Sequence, residues 1–308
     1  MPVFLGIDGG GTQTRALAID GWGEVLHAGE GGPSNLATLD DDAILRSLVD
    51  AVRGCPRPDV VCGCFAGVVS ETGRQRAENL LRRWLPEARI EVRPDFHAVL
   101  AAADEGTTCA VIAGTGSVVA SFIRNEVVKS GGGGPLLGDQ GSAFAVGRRM
   151  LQVLLSGRPT PEEVSAAFDE TFATRDLGEI VSHIYSDTTP ALRVAGLAPS
   201  VAEAALAGNA DAEWCVAHEM GLLAELTVDH VLRFHTDIEQ PRIALAGGLW
   251  KASKVFQKEF DNALKASAGI LVNPELGDAP ARRFIIDRLR EPPVSGAVKL
   301  ARRLYDEH

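Results

Sequence analysis

The chain has 308 residues, enough for one large domain or two of ordinary size, with 45% apolar and 23% charged side chains, an ordinary soluble globular balance. Thirty basic against forty-one acidic residues leave a net charge of −11, which excludes nucleic acid and an anionic membrane surface as main partners. A small anionic ligand stays open, because backbone amides and a metal reverse the field locally. The N-terminal MPVFLGIDGGG lacks the basic region and apolar core of a signal peptide, and no uncharged apolar stretch is long enough to cross a bilayer. Five cysteines at scattered spacings suggest no disulfide framework, so a cytoplasmic location is expected.

In chain order, Val3–Ile7 is an apolar run, Asp8–Thr12 a glycine turn, and Thr14–Ile19 alternates as a strand does. A turn at Asp20–Gly23 then leads into Glu24–Ala28. Asp40–Asp42 caps a helix through about Val52, and Val60–Phe65 reads as a buried strand. An amphipathic helix spans Glu71–Leu85, a short strand spans Ile90–Val92 and ends at Asp95, and a helix runs to about Ala103. The opening layout then recurs: strand Cys109–Ala113, turn Gly114–Ser117, strand Val118–Ile123, turn Arg124–Glu126, strand Val127–Lys129. Two such units predict a duplicated architecture. Helices follow at roughly 140–155, 161–172, 176–185, 199–207 and 210–235. A strand at Ile243–Ala246 precedes Gly247–Gly248 and a helix from Lys251 to Ala266, and a strand near Phe284–Ile286 and a helix from Ser295 to Tyr305 close the chain.

Glycine stands out, 33 residues clustered at 9–11, 29–32, 114–116, 131–134 and 247–248, each beside an apolar run. Such clusters mark turns or close backbone approach. The loop Asp8-Gly9-Gly10-Gly11-Thr12-Gln13-Thr14 has no lysine and runs strand to strand, so it is neither a Walker loop nor a dinucleotide fingerprint. Its amides suit an anion, and Asp8 suits a Mg²⁺ ion held through oxygen and water; a tight aspartate-capped hairpin is the plainer reading. Gly114-Thr115-Gly116-Ser117 alone reads as an ordinary turn, but two such loops at matching points of duplicated units suit one polyphosphate.

These two loops, with Gly131-Gly-Gly-Gly-Pro-Leu-Leu-Gly-Asp-Gln-Gly-Ser142 and Ala246-Gly-Gly248, resemble the acetate/sugar kinase, heat-shock protein and actin superfamily. Within it the chain resembles the N-acetylglucosamine/glucosamine kinase-like branch of the BadF/BadG/BcrA/BcrD-type ATPases, from about residue 3 to the C-terminal helix. The resemblance implies an α/β fold of two ribonuclease-H-like (actin-like ATPase) domains, mixed sheets flanked by helices, with ATP and sugar in an interdomain cleft. The first domain would cover 1–106 with the helix 294–308 packing back on it, and the second 107–293 with a helical insertion. It implies ATP phosphates on Gly9, Gly10, Gly11, Thr12, Thr14, Gly114, Thr115, Gly116 and Ser117, adenosine against Gly247 and Gly248, and Mg²⁺ at Asp8 through water. It assigns the catalytic base to Asp95, whose plainer role is to cap the helix after it, and both hold together. Asn35, Gly67, Asp95, Thr115, Gly133 and Asp139 would face the sugar; Asp139 equally suits the cap of helix 140–155.

The sequence departs from that family at Gly133, where a tryptophan is usual, and at Gln140, where a glutamate is usual. N-acetylglucosamine, glucosamine, another amino sugar or another hexose derivative therefore stay open as acceptor, and a homodimer is allowed. The implied activity is phosphorylation of an amino sugar, at the 6-OH, by in-line transfer. The alternatives are an ATPase activator of a 2-hydroxyacyl-CoA dehydratase, which needs cysteines for an iron–sulfur cluster, and a non-catalytic nucleotide-dependent sugar sensor. Cys62 and Cys64 read as buried structural thiols on a strand, and His97 as a packed or capping residue.

Overall fold

The computed structural model describes residues 1–124, 126–270 and 283–307. Asn125, inside the turn expected at 124–126, and His308, at the end of the expected segment 294–308, lie outside the described residues. The chain forms two compact units, Met1–Glu105 with Leu289–His308, and Gly106–Arg288.

The first unit is a five-stranded sheet in the order β3-β2-β1-β4-β5. β1 (Val3–Gly9), β2 (Thr14–Asp20) and β3 (Val25–Gly31) form an antiparallel meander, and β4 (Val60–Phe65) and β5 (Arg89–Pro94) add in parallel beside β1. Every residue of β4 is buried, as befits a strand covered on both faces. Successive side chains of a strand leave by opposite faces. Leu5, Ile7, Val61 and Phe65 therefore pack with α1 (Asp41–Ala51) and α2 (Glu71–Trp84). Phe4, Cys62 and Cys64 pack on the other face with α3 (Phe96–Ala102) and the C-terminal α13 (Pro293–Asp306). α13 approaches backbone to backbone: a Cβ on Gly6 would stand 2.4 Å from the Val298 amide nitrogen, and one on Gly296 1.9 Å from the Ala98 carbonyl oxygen. The helix starts follow from local chemistry. Asp40 Oδ1 accepts the Ala43 amide at 2.8 Å, and Ser70 Oγ accepts that of Gly73 at 3.2 Å.

The second unit repeats the first strand for strand. β6 (Cys109–Ala113), β7 (Ser117–Ile123) and β8 (Glu126–Gly131) form the meander, and β9 (Arg242–Ala246) and β10 (Ile285–Arg288) lie parallel beside β6. The two mixed sheets, flanked by helices, are the α/β class that the family resemblance implied. Between β8 and β9 the chain is helical: α4 (Gly134–Leu137), α5 (Ala143–Leu155), α6 (Glu162–Phe172), α7 (Leu177–Ser186), α8 (Pro190–Ala195), α9 (Ala198–Leu206) and the 25-residue α10 (Ala210–Phe234). α4 and α8 are single short turns with too few residues to show a period. The helix expected from Lys251 is in two pieces, α11 (Leu249–Ala252) and α12 (Lys254–Ile270), broken where Ser253 takes extended φ and ψ.

Among the described residues no helix is long and apolar enough to cross a membrane.

Candidate active site

In the first unit the parallel strands β1, β4 and β5 end at one edge of the sheet. That edge gathers Asp8 and Gly9, then Ala66 and Gly67, then Asp95. The Ala66 amide donates to the Gly9 carbonyl at 2.8 Å, and the Asp95 amide to the Phe65 carbonyl at 3.2 Å. Asp8 and Asp95 are close enough for their charges to interact. Burial first, and then the charge of Asp95, push the Asp8 carboxyl up from 3.8 to about 7, against the pull of Arg15. Two carboxylates converging in a low-dielectric corner repel unless a proton or a cation intervenes. Such a pair suits a divalent ion with oxygen ligands, and Asp8 fits the Mg²⁺ that the sequence implied. Asp95 caps α3, its Oδ1 accepting the Phe96 amide at 2.9 Å. His97 stacks on Phe96 with ring centroids 4.9 Å apart, and burial and then Arg93 drive its pKa down to about 4.

The glycine loop between β1 and β2 is tied down from within. The Gly10 amide donates to the Gln13 carbonyl at 2.9 Å, and the Ser34 amide donates to the Gly10 carbonyl at 3.0 Å. Gly9 has no room for a side chain, since a Cβ would lie 2.3 Å from Phe65 and 2.4 Å from Ser34 Oγ. Thr12 is exposed and Gly10 and Gly11 are partly so. Thr14 differs from them: it is fully buried, and its hydroxyl donates to the Gly32 carbonyl at 2.7 Å and lies 2.7 Å from Ser34 Oγ. It braces the next loop from beneath and presents no hydroxyl at the surface.

That next loop carries Asn35. Its Oδ1 accepts the Ala37 amide at 2.9 Å, and its carbonyl accepts the amides of Thr38 and Leu39. Gly67, in the left-handed region at φ +82°, lies directly against it; a Cβ there would stand 2.4 Å from Asn35 Oδ1. The structure thus brings Asn35 and Gly67 into contact beside the end of β4.

The second unit presents the equivalent edge. β6 runs into Gly114–Gly116, closed by the Gly114 amide on the Gly116 carbonyl at 2.9 Å. The carbonyls of Gly114 and Thr115 accept the first amides of α5, from Ala143 and Phe144. β9 runs into Gly247, at φ +105°, where a Cβ would meet the Ala113 carbonyl oxygen at 2.1 Å. The ideal Cβ direction of Gly114 reaches the Gly248 amide nitrogen at 3.8 Å, so the two glycine turns adjoin.

Asp139 joins the same edge. It is buried, at φ +60°, and its Oδ1 accepts the Ser117 amide at 3.2 Å. Burial raises its pKa, against the amides of Ser117 and Gly134 and the charge of Lys129. Ser117 Oγ donates to the Gln140 carbonyl at 2.8 Å. Asp139 does not cap the following helix: α5 begins at Ala143, and Ser142 Oγ accepts the Ala145 amide. Gly133 precedes the one-turn α4, whose Leu136 and Leu137 are exposed.

Two charged residues that sequence reasoning missed hold these loops. Arg76 on α2 grips the Asn35 loop. Glu219 on α10, only 1% exposed, pairs with Arg149 at 2.9 Å and accepts the Gly141 amide at 3.2 Å, which pins the turn after Asp139. Nothing marks Arg76 in an arginine-rich helix. Glu219 leaves a trace, an acid in the apolar stripe Cys215, Val216, Met220, Leu223.

Cys62, Cys64, Cys109 and Cys215 are buried and Cys55 is partly so. Cys62 and Cys64 leave β4 by the same face, 3.9 Å apart at sulfur, inside the apolar layer under α3 and α13.

A family model described as the BadF/BadG/BcrA/BcrD ATPase family matches residues 5–276. An N-acetyl-D-glucosamine kinase of Dictyostelium discoideum is 29% identical over 175 residues, which take in 51% of this chain and 55% of that protein. Glucosamine kinase GspK of Vibrio cholerae is 30% identical over 163 residues, 50% of this chain and 55% of that one. The chain therefore spans about half the length of the curated relatives it matches. Among solved structures, a candidate N-acetylglucosamine kinase from Porphyromonas gingivalis superposes with a TM-score of 0.74 at 20% identity, over 98% of this chain and 99% of that one. A ROK family glucokinase from Streptomyces griseus, in complex with glucose and AMPPNP, gives 0.64 at 16% identity, again over 98% and 99%. At such identities the likeness is one of fold.

Proposed function

Because the chain belongs to the BadF/BadG/BcrA/BcrD ATPase family, we propose that it transfers the γ-phosphate of ATP to a hydroxyl of an amino sugar, N-acetylglucosamine or glucosamine, at the 6-OH. The observation that carries this reading is the Asp8–Asp95 pair at the strand ends of the first unit. Phosphoryl transfer to an alcohol calls for a carboxylate that accepts the hydroxyl proton and for neutralisation of phosphate charge. Asp95 is assigned the first task. Its carboxylate accepts the proton from the sugar hydroxyl as that oxygen attacks, and its cap bond to the Phe96 amide fixes its orientation. Asp8 is assigned to hold Mg²⁺, through water. When bound, the ion supplies positive charge to the phosphates.

The reading gives the phosphates to Gly9, Gly10, Gly11 and Thr12 and to Gly114, Thr115, Gly116 and Ser117, with Thr14 as their support from below. Adenosine is given to Gly247 and Gly248, of which Gly248 is exposed with open space where a Cβ would stand. Asn35, Gly67, Gly133 and Asp139 are given to the sugar. The names of the half-length relatives support an amino sugar as acceptor. The dehydratase-activator alternative finds no support in the thiols, since four of the five are sealed inside strands and helices and offer no ligand set at a surface.

The test is a phosphorylation assay with glucosamine, N-acetylglucosamine, N-acetylmuramic acid and glucose, run on the wild type and on Asp95→Asn. Turnover with an amino sugar, and its loss by a factor of about 10³ or more in the variant with ATP affinity kept, is the expected result. An Asp95→Asn enzyme that keeps most of its turnover removes that residue from the chemistry.

A further inference from the structure

We infer that Arg76 is a positioning residue for the acceptor sugar: a guanidinium on α2 that fixes the Asn35 loop without touching substrate. The inference rests on the assignment of that loop to the sugar.

The segment from Ser34 to Asp40 has neither helix nor strand hydrogen bonding to define it, and backbone of this kind needs partners for its carbonyls. Arg76 supplies them. Its Nη1 donates to the Leu36 carbonyl at 2.7 Å, its Nη2 to the Leu39 carbonyl at 2.8 Å, and its Nε to Asp41 Oδ1 at 2.7 Å. A planar guanidinium presents its donors in a rigid fork, so three acceptors met at once set the mutual placement of the loop and the start of α1.

The grip acts on the residues that matter to the sugar assignment. Leu36 lies next to Asn35, and its amide donates to the Ala66 carbonyl at 2.9 Å, so the residue that Arg76 holds by its carbonyl is held at its amide by the segment that ends β4. Leu39 donates its amide back to the Asn35 carbonyl at 3.1 Å. Gly67, pressed against Asn35 Oδ1 and the Ala37 amide, leaves the loop no slack toward β4. Release of the Leu36 and Leu39 carbonyls would free the loop to move away from Gly67, and Asn35 with it. Arg76 is about one-third exposed, and its bonds run to Leu36, Leu39 and Asp41 rather than to the glycine loop, so the expected effect is on acceptor binding and not on the phosphate or on proton transfer.

Arg76→Gln and Arg76→Lys in the full chain test this. We expect the glutamine variant to raise KM for the amino sugar by roughly 10- to 100-fold, with kcat and KM for ATP within about threefold of wild type. Lysine reaches one acceptor at a time and recovers only part of the loss. Amide hydrogen exchange at residues 36–39 rises in step with KM. A glutamine variant that merely melts at lower temperature, with its sugar KM unchanged at a temperature where it is fully folded, overturns the inference. So does a lysine variant as defective as glutamine with unchanged exchange at 36–39. A wild type inactive on every amino sugar brings down the functional reading itself, whereas an active wild type with an indifferent Arg76→Gln brings down this inference alone.

Discussion

Asp8→Asn separates what the first-unit edge costs in stability from what it does. In the folded chain the Asp8 carboxyl titrates at about 7, and its ordinary value is 3.8. Between those values the folded protein keeps a proton that the unfolded chain has released, so stability is full below pH 3.8 and is lost as pH rises through 7. At ~1.4 kcal/mol per pH unit the whole displacement amounts to about 4 kcal/mol, of which about 3 kcal/mol falls between pH 5 and pH 7. Asp8 is partly open to solvent, and screening reduces this to roughly 1–3 kcal/mol. The wild type should therefore melt roughly 3–10 °C lower at pH 8 than at pH 5, and the asparagine variant should show most of that difference removed. Millimolar Mg²⁺ should restore the wild type at pH 8 and leave the variant unmoved, and the variant should lose sugar phosphorylation while being the more stable protein. Differential scanning calorimetry at the two pH values, with and without Mg²⁺, reads all of this. A variant with the full wild-type pH dependence would refute the account of two converging carboxylates.

Gly247→Ala places a methyl 2.1 Å from the Ala113 carbonyl oxygen at a φ of +105°, so it should cost on the order of 2–4 kcal/mol or spread the β6 and β9 ends and weaken ATP binding, as measured by denaturant titration and nucleotide affinity. Glu219→Gln breaks a buried pair and weakens the tie on Gly141; we expect about 2–4 kcal/mol lost by urea unfolding, with Arg149 left short of its partner. His230, fully buried between Ser121 and Ser130 at 2.8 Å each, has its pKa driven from 6.5 to about 4 by burial and then by His235 and Arg233. The unfolded chain binds the proton first, so this stability is present above 6.5 and is lost as pH falls through 4; the slope of stability in that range should flatten in His230→Gln, and an unchanged slope would assign acid sensitivity elsewhere.

Much of this protein was legible one segment at a time. Alternation and apolar runs located the strands, Asp40 marked a helix start, and the spacing of glycine turns disclosed two copies of one meander. These signals are local: a cap reaches three residues, and a strand's two faces alternate along its own length. The same locality put Asp8 and Asp95 at strand ends, because each stands where an apolar run stops.

What depended on tertiary structure involves partners distant in the chain. Two aspartates 87 positions apart came to one edge of the sheet only when β1, β4 and β5 aligned in parallel. Thr14 turned inward because Gly32 and Ser34 came round to meet it, and Ser142 displaced Asp139 as the cap because Asp139 was drawn to the Ser117 amide. Gly6 and Gly296, unremarkable in the sequence, proved to be where α13 lies against β1 and α3. Arg76 and Glu219 found carbonyls and amides 37 to 78 positions away. Hydrogen bonds of that reach leave no periodic trace, since the chain between the partners is free to vary so long as the fold returns both ends to the same place.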